Sequence, residues 1–203
     1  MKIMQVRVRA GQTETEATEA LVLILCEGGS LSEQGAASVD KAMGGALTDL
    51  IKSKEFEGKS SELALLHTQG KIPAKRVLLV GIGKKASVGL DTIRQAMGSA
   101  AKRVRQAKAT SFTVSIPTVV PRDSSAIEVA QAMAEGAILG SYQFNIYRSE
   151  GAPGKDLSQM TILAPQKSEL SDLSEGIRLG TATAEATVFV RDLCNHPSNV
   201  MTP

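Results

Sequence analysis

The arrangement of apolar and polar residues along the chain predicts short strands separated by helices. Residues 4–9 alternate strictly between the two classes, and this period of two is typical of a half-exposed strand at a sheet edge. Residues 21–26 are apolar throughout, which predicts a strand that is covered on both faces. Residues 149–159, rich in Gly, Pro, Lys and Asp, are the predicted long loop. Further strands are predicted at residues 63–67, 76–80, 112–116 and 160–164.

Helical spacing predicts the helices that connect these strands. A break is expected at Gly44 and Gly45, because each glycine weakens a helix interior by about 1 kcal/mol. Asp91 is the predicted cap of one helix, and Ser124 or Ser125 that of another. The alternation of strands and helices predicts an α/β fold, with a mixed, mainly parallel sheet and helices on both faces. The predicted helices cover residues 33–54, 91–108, 125–142 and 169–193.

The composition is typical of an intracellular globular domain. The chain has 203 residues, of which 42% are hydrophobic and 22% are charged, so it can bury an ordinary core. Its formal net charge of +2 provides no broad positive field for nucleic acid or an anionic membrane. Acidic residues precede the first apolar run, unlike an export signal, and no stretch reaches the roughly 20 apolar residues that span a bilayer. We therefore expect a cytoplasmic protein without membrane contact.

A glycine-rich loop follows the predicted strand at 76–80. Gly81, Gly83 and Ala86 fit a relaxed G-x-G-x-x-A pattern, which lets phosphate oxygens approach a helix N-terminus in dinucleotide-binding proteins. Here residues 87–90 separate the loop from its helix, and no acidic residue follows about 20 positions later to bind a ribose. We therefore interpret the loop as a structural turn and keep Gly81 and Gly83 as candidates for a phosphate site.

Other catalytic and metal-binding patterns are incomplete. Ser-x-x-Lys occurs at Ser38 and at Ser99, but without the companion motifs of acyl enzymes, which favours solvated helix faces. The chain has two histidines, His67 and His196, and Cys194 beside His196 supplies only two of the three ligands of a hydrolytic zinc site. We therefore predict no catalytic residue, no metal ligand and no disulfide in this chain.

Nucleic-acid binding is an alternative that depends on one helix. The predicted helix at 91–108 carries clustered cations of the kind that contact phosphates. The aromatic content of 3% and the lack of Trp argue against stacking on single-stranded nucleic acid. The cations of this helix are Arg94, Lys102, Arg103, Arg105 and Lys108.

Three stretches of the chain carry recognisable motifs. Residues 77–83 read Val-Leu-Leu-Val-Gly-Ile-Gly, and residues 135–148 contain Glu-Gly-x-x-Leu-x-x-Tyr-x-Phe. The last thirteen residues follow Arg-Asp-Leu-x-Asn-x-Pro-x-Asn-x-x-x-Pro, with Arg191, Asp192, Leu193, Asn195, Pro197, Asn199 and Pro203. Together these motifs resemble the leucyl aminopeptidase family, the two-metal cytosol aminopeptidases.

The resemblance implies a non-catalytic N-terminal α/β domain of a larger enzyme. In that family the metal ligands and the catalytic Lys and Arg would follow Pro203, so no catalytic role is assigned to a residue here. The implied full-length enzyme is a homohexamer that uses two divalent metal ions, Mn or Zn, to release N-terminal amino acids from peptides. Within it this chain would have an architectural role and no activity of its own.

The final predicted helix is the expected link to a catalytic domain. Residues 1–168 would form the α/β domain, and residues 169–203 the linking helix and the start of the next domain, where Thr202 and Pro203 could open a helix. An apolar stripe does not identify its partner, so the stripe could pack on either domain. We expect the half of the helix beyond Gly180 to be covered by the catalytic domain. The stripe consists of Leu170, Leu173, Ile177, Ala184 and Val188.

Two other functions remain open at this point. The predicted sheet resembles that of macro domains, which accommodate ADP-ribose, so a nucleotide-binding module with its ligand near Gly81 is one alternative. A DNA-binding accessory domain is the other.

Overall fold

The computed structural model describes residues 3–32, 35–147, 156–197 and 199–200. The strands in these ranges are Gln5–Ala10 (β1), Leu21–Leu25 (β2), Leu63–His67 (β3), Arg76–Gly81 (β4), Ser111–Ser115 (β5) and Gln159–Ala164 (β6). The α-helices are Ala37–Ala42 (α1), Ala46–Lys52 (α2), Leu90–Gln106 (α3), Ala126–Ser141 (α4) and Leu170–Asn195 (α5). All the predicted strands are present within two residues of their expected ends. Residues 149–155 of the predicted loop lie outside the described ranges.

The strands form one six-stranded sheet in the order β1-β6-β5-β2-β4-β3. Every neighbouring pair is parallel except β3 and β4, which are antiparallel. The mixed, mainly parallel α/β fold is therefore confirmed, and so is the edge position of β1. Strands β1 and β2 follow each other in the sequence but are separated in the sheet by β6 and β5. The chain continues from β2 towards β4 and from β5 towards β6, so its direction across the sheet reverses between β2 and β5. In sheets of this kind, such a reversal opens a crevice at the carboxyl ends of the strands.

Helices cover both faces of the sheet, as the uninterrupted apolar pattern of β2 requires. Leu21, Leu23 and Leu25 face α1 and α2, whereas Val22 and Ile24 face the layer formed by α3, α4 and α5. Successive side chains of a strand point to opposite faces, so a strand between two helical layers must be apolar at every position. All five residues of β2 are buried.

The helix boundaries follow local capping groups. The predicted break is confirmed, because Gly44 and Gly45 have φ angles of 74° and 88° and separate α1 from α2. The predicted cap of α4 is confirmed at Ser125: its hydroxyl accepts the Glu128 N–H at 3.2 Å, and the Glu128 carboxylate accepts the Ser125 N–H at 2.8 Å. The prediction of Asp91 as a cap is wrong. Helix α3 begins one residue earlier, after Gly89.

The α-helical layer is closely packed because glycines lie where the helices meet. Helix α4 lies between α3 and α5, and its own glycines face α3. A Cβ atom at Gly136 would lie 2.2 Å from the Arg94 carbonyl oxygen of α3. On the other side, a Cβ atom at Gly180 of α5 would lie 2.5 Å from the Gln131 carbonyl oxygen of α4. These contacts fix α5 against the domain along much of its length.

Candidate functional site

The apolar stripe of α5 packs on this domain. Ala184 and Val188 are 0% and 3% exposed and belong to the same core as the strands and α4. The expectation that the helix beyond Gly180 is covered by another domain is therefore wrong for this face. Gly180 is a point of close approach to α4 and does not end the docked region. Thr202 and Pro203, the predicted start of a further helix, lie outside the described residues.

The ends of α4 and α5 meet, and there the structure brings two of the three motif segments together. We call this contact the junction; it comprises residues 139–147 and 191–196. The two motifs are separate in the sequence, and no pattern there predicts that they touch. Residues 139–147 contain three aromatic side chains and residues 191–196 several hydrogen-bonding ones, which is the signal that could have suggested a contact.

Tyr142 is the centre of the junction. Its hydroxyl donates to Asp192 Oδ1 at 2.8 Å and accepts from Asn195 Nδ2 at 3.1 Å. The guanidinium carbon of Arg191 lies 5.6 Å from the Tyr142 ring centroid, which is a cation–π distance. Partial burial is the largest cause that raises the pKa of Tyr142. Three polar residues of the last motif are thus engaged by one side chain.

Cations from the neighbouring helices cap the C-terminus of α4. This helix has no basic residue in its own last turn, although its final carbonyl groups lack helical partners. Arg105 of α3 donates to the Ser141 carbonyl oxygen at 3.0 Å, and Arg191 of α5 donates to that of Leu139 at 3.4 Å. Positive charge at this end of a helix also complements its dipole. The junction therefore ties three helices together.

A second aromatic contact holds the residue that follows α5. His196 Nδ1 lies 2.7 Å from the Tyr147 hydroxyl, and its ring packs edge-on against Phe144 with centroids 5.2 Å apart. The Tyr147 hydroxyl therefore engages one of the two ring nitrogens of His196. Cys194, the other half of the considered ligand pair, is exposed. Among the described residues, no three His, Cys, Asp or Glu side chains come together as a metal site.

The candidate phosphate loop uses its backbone donors internally. The N–H groups of Gly81, Ile82 and Gly83 donate to the carbonyl oxygens of Glu62, Leu25 and Gly58 at 2.8, 3.0 and 2.9 Å. A Cβ atom at Gly81 would lie 2.1 Å from the Lys59 carbonyl oxygen, and Gly83 has a φ of 77°. Both glycines are thus required by the path of the backbone. This geometry supports the interpretation of the loop as a turn.

The crevice at the carboxyl ends of the strands is small and of mixed charge. Between β2 and β5 it has a volume of about 260 Å³. Lys85 and Glu27 both line it, together with Gly28, Gly29 and Thr118. The Glu27 carboxylate partly cancels the positive charge of Lys85, which weakens the attraction of the crevice for an anionic ligand.

Two cations of the predicted basic face of α3 are used within the domain. Arg94 donates from Nε to the buried Glu135 carboxylate at 2.5 Å, and this hydrogen bond is the main cause that raises the pKa of Arg94. Arg105 is bound to the end of α4. Lys108 lies beyond Gln106, where the helix ends, so its assignment to the helix is wrong. The five cations therefore do not form one free helical face.

Comparison with known proteins decides the family. Residues 22–151 match the model of the cytosol aminopeptidase family, N-terminal domain. The chain belongs to the cytosol aminopeptidase family. One relative, a probable cytosol aminopeptidase of Geobacter sp. strain M21, is 36% identical over 98% of this chain and 40% of its own length. The chain thus spans about two fifths of the length of the curated relatives it matches.

Solved structures of the same fold include a leucine aminopeptidase and a bottromycin maturation enzyme. A mutant of tomato leucine aminopeptidase has a TM-score of 0.81 at 21% identity, covering 100% of this chain and 40% of that one. The bottromycin maturation enzyme BotP in complex with Mn has a TM-score of 0.67 at 24% identity, covering 92% and 34%. Among the described residues, no helix of this family member is long and apolar enough to cross a membrane.

The fold is also that of macrodomains. A macrodomain mutant from Oceanobacillus iheyensis has a TM-score of 0.60 at 13% identity, covering 84% of this chain and 89% of that one. The expectation of a macro-domain-like sheet is therefore confirmed. At this identity the likeness concerns the fold alone.

Proposed function

We propose that this chain is the architectural, non-catalytic N-terminal domain of a leucyl aminopeptidase. The junction is the observation that carries the proposal. Arg191, Asp192, Asn195 and His196 contact the end of α4 and the segment after it. Through these side chains, the end of the 26-residue helix α5 is fixed relative to α4. We take residues 1–168 as the domain and residues 169–203 as the linking helix with the start of the next domain.

The outer face of α5 supports a role in joining domains. Phe189 and Val190 are 63% and 55% exposed, and Leu193 is exposed beside them. This apolar face points away from the core that Val188 contacts. Exposed apolar patches of this kind mark interaction surfaces, and the relatives have a further three fifths of chain available to cover it. We propose that the catalytic domain packs on this face.

The proposed activity of the full-length enzyme is the release of N-terminal amino acids from peptides. Two divalent metal ions, Mn or Zn, would activate the water that attacks the scissile carbonyl. The complex of BotP with Mn supports a metal-dependent parent enzyme. In this proposal the metal ligands lie outside residues 1–203, the enzyme is a cytoplasmic homohexamer, and this domain helps to hold its subunits and to shape access to the active sites.

The first test is activity of the purified chain. We expect no hydrolysis of leucine amides with added Mn²⁺ or Zn²⁺, because the junction residues are engaged in structural contacts and a hydrolytic site needs three protein ligands. Release of leucine is measured before and after repurification, with a full-length relative as the positive control. Metal-dependent turnover that is lost on mutating a residue of this chain would refute the proposal.

A nucleotide-binding module is the second candidate, favoured by the crevice between β2 and β5. Our proposal predicts that ADP-ribose and NAD at millimolar concentration give no thermal shift, because a ligand that binds only the native state must stabilise it. The lining carboxylate of Glu27 also opposes a diphosphate. Differential scanning fluorimetry provides the measurement. A saturable shift that Lys85→Ala removes, and that Lys84→Ala leaves unchanged, would favour the second candidate.

A further inference from the structure

The two edges of the sheet differ in chemistry. At the β1 edge, the exposed positions include Arg7 and Arg9, and charged side chains discourage the addition of another strand. At the other edge, residues 63–66 of β3 are Leu-Ala-Leu-Leu, with no charge and each half-buried. Side chains of β3 contact the cores on both faces of the sheet. We call residues 63–67 the β3 edge. A strand added at the β3 edge would cover apolar side chains of β3 on both faces of the sheet.

The hydrogen bonds between β3 and β4 show which backbone groups point outward. The Thr68 N–H donates to the Lys75 carbonyl oxygen, and the Gly81 N–H donates to that of Glu62, in the register that pairs Leu65 with Leu78. Antiparallel strands alternate between hydrogen-bonded and non-hydrogen-bonded pairs. The backbone N–H and C=O groups of positions 64 and 66 therefore point towards β4, as those of positions 62 and 68 do. The N–H and C=O groups of positions 63, 65 and 67 point away from the sheet.

We propose that the β3 edge pairs with the β3 edge of a second copy of this chain, antiparallel and about a two-fold axis at Leu65. The outward groups of Leu65 would then pair with those of Leu65 in the other copy. Those of Leu63 would pair with those of His67. A two-fold arrangement uses the same surface on both copies and leaves no further edge at this side of the sheet. This inference does not depend on the proposed aminopeptidase function.

The charges at the two ends of the β3 edge complement each other when two copies pair antiparallel. Residues 54–62, before the strand, contain three acidic and two basic residues. Residues 68–76, after it, contain three basic residues and no acidic one. Antiparallel pairing brings the net negative end of one copy to the positive end of the other. Parallel pairing would bring the two positive ends together, which costs energy through like-charge repulsion.

The test compares the oligomeric state of the whole chain with the exchange of individual backbone amides. A contact through one short strand is small and therefore weak, so we expect a dimer at about 1 mM and a monomer at about 10 μM. In the dimer, the amide hydrogen of Leu65 is expected to exchange at least tenfold more slowly than in the monomer. Sedimentation and amide-resolved hydrogen exchange provide the two readouts.

His67 offers a matched pair of variants. His67→Pro removes an outward N–H group at the exposed end of an edge strand, where proline is tolerated, and should weaken association about tenfold. His67→Ala removes the side chain, keeps the N–H group and should associate like the original chain. A monomer at every concentration, a dimer with an unprotected Leu65 amide, or protection of Leu65 in a monomer would each overturn the proposal. The last result would show that another segment or a bound peptide covers the edge.

Discussion

Val188→Ser is expected to lower the free energy of unfolding by about 3 kcal/mol, whereas Val190→Ser should change it by less than about 0.5 kcal/mol. Val188 is 3% exposed and lies in the core, so the change removes buried apolar area and buries a hydroxyl group. Together these two effects cost about 3 kcal/mol. Val190 is 55% exposed on the same helix. Urea unfolding of the purified chain, followed by circular dichroism, measures both values.

The two valines form a matched pair, because they differ in burial and share residue type and helix. Equal destabilisation by the two changes would mean that α5 is not docked on this domain through its last turns. A large effect of Val190→Ser alone would place the other face of α5 against the core. In a full-length relative, the equivalent of Val190→Ser should instead weaken contact between the domains if the proposed role of that face is correct.

Gly136→Ala is expected to destabilise the chain by about 2 kcal/mol or more. The new methyl group would lie 2.2 Å from the Arg94 carbonyl oxygen and 2.8 Å from its Cα atom, so the backbones of α3 and α4 must separate. Overpacking of this kind costs about 1–3 kcal/mol, occasionally more, and exceeds the gain of roughly 1 kcal/mol in helix propensity. Thermal unfolding provides a second measurement in case the urea transition is too early to fit.

Gly98→Ala is the matched control on the facing helix. There a Cβ atom would lie 3.4 Å from the Gly136 carbonyl oxygen, which a small shift can accommodate. We expect its stability to stay within about 1 kcal/mol of the original, with the propensity gain offsetting the tighter contact. If both variants were equally stable, the helices would be farther apart than the structure shows.

The stability predictions concern the helices that meet at the junction, and the position of α5 bears on the proposed function. Helix α5 buries one face in this domain and exposes an apolar face that contains Phe189 and Val190. Tyr142 and Arg191 fix the end of that helix relative to α4. If a catalytic domain packs on the exposed face, its position depends on a helix that the N-terminal domain holds through these contacts.

The sequence alone determined the order and type of the elements, because periodicity and capping are local properties. Residues 21–26 are apolar at every position, and a strand between two helical layers needs that pattern. Ser125 and Glu128 form a capping box within four residues of sequence. The motifs at residues 77–83, 135–148 and 191–203 were sufficient to indicate the family. The predicted cap of α3 was wrong by two residues: the cap is Gly89 and not Asp91, and the Gly89 N–H donates to the Thr92 hydroxyl.

Only the tertiary structure decided which groups meet. Tyr142 and Asp192 are 50 positions apart, and their hydrogen bond depends on the packing of α4 against α5. The donors of Gly81 and Gly83 are satisfied by chain segments that no local pattern places beside them. Arg94 belongs to a pattern of cations in the sequence, yet its partner Glu135 lies on the neighbouring helix. Long-range contacts of this kind arise from how the helices and strands pack, and a periodic pattern records only that a face is covered, without naming what covers it.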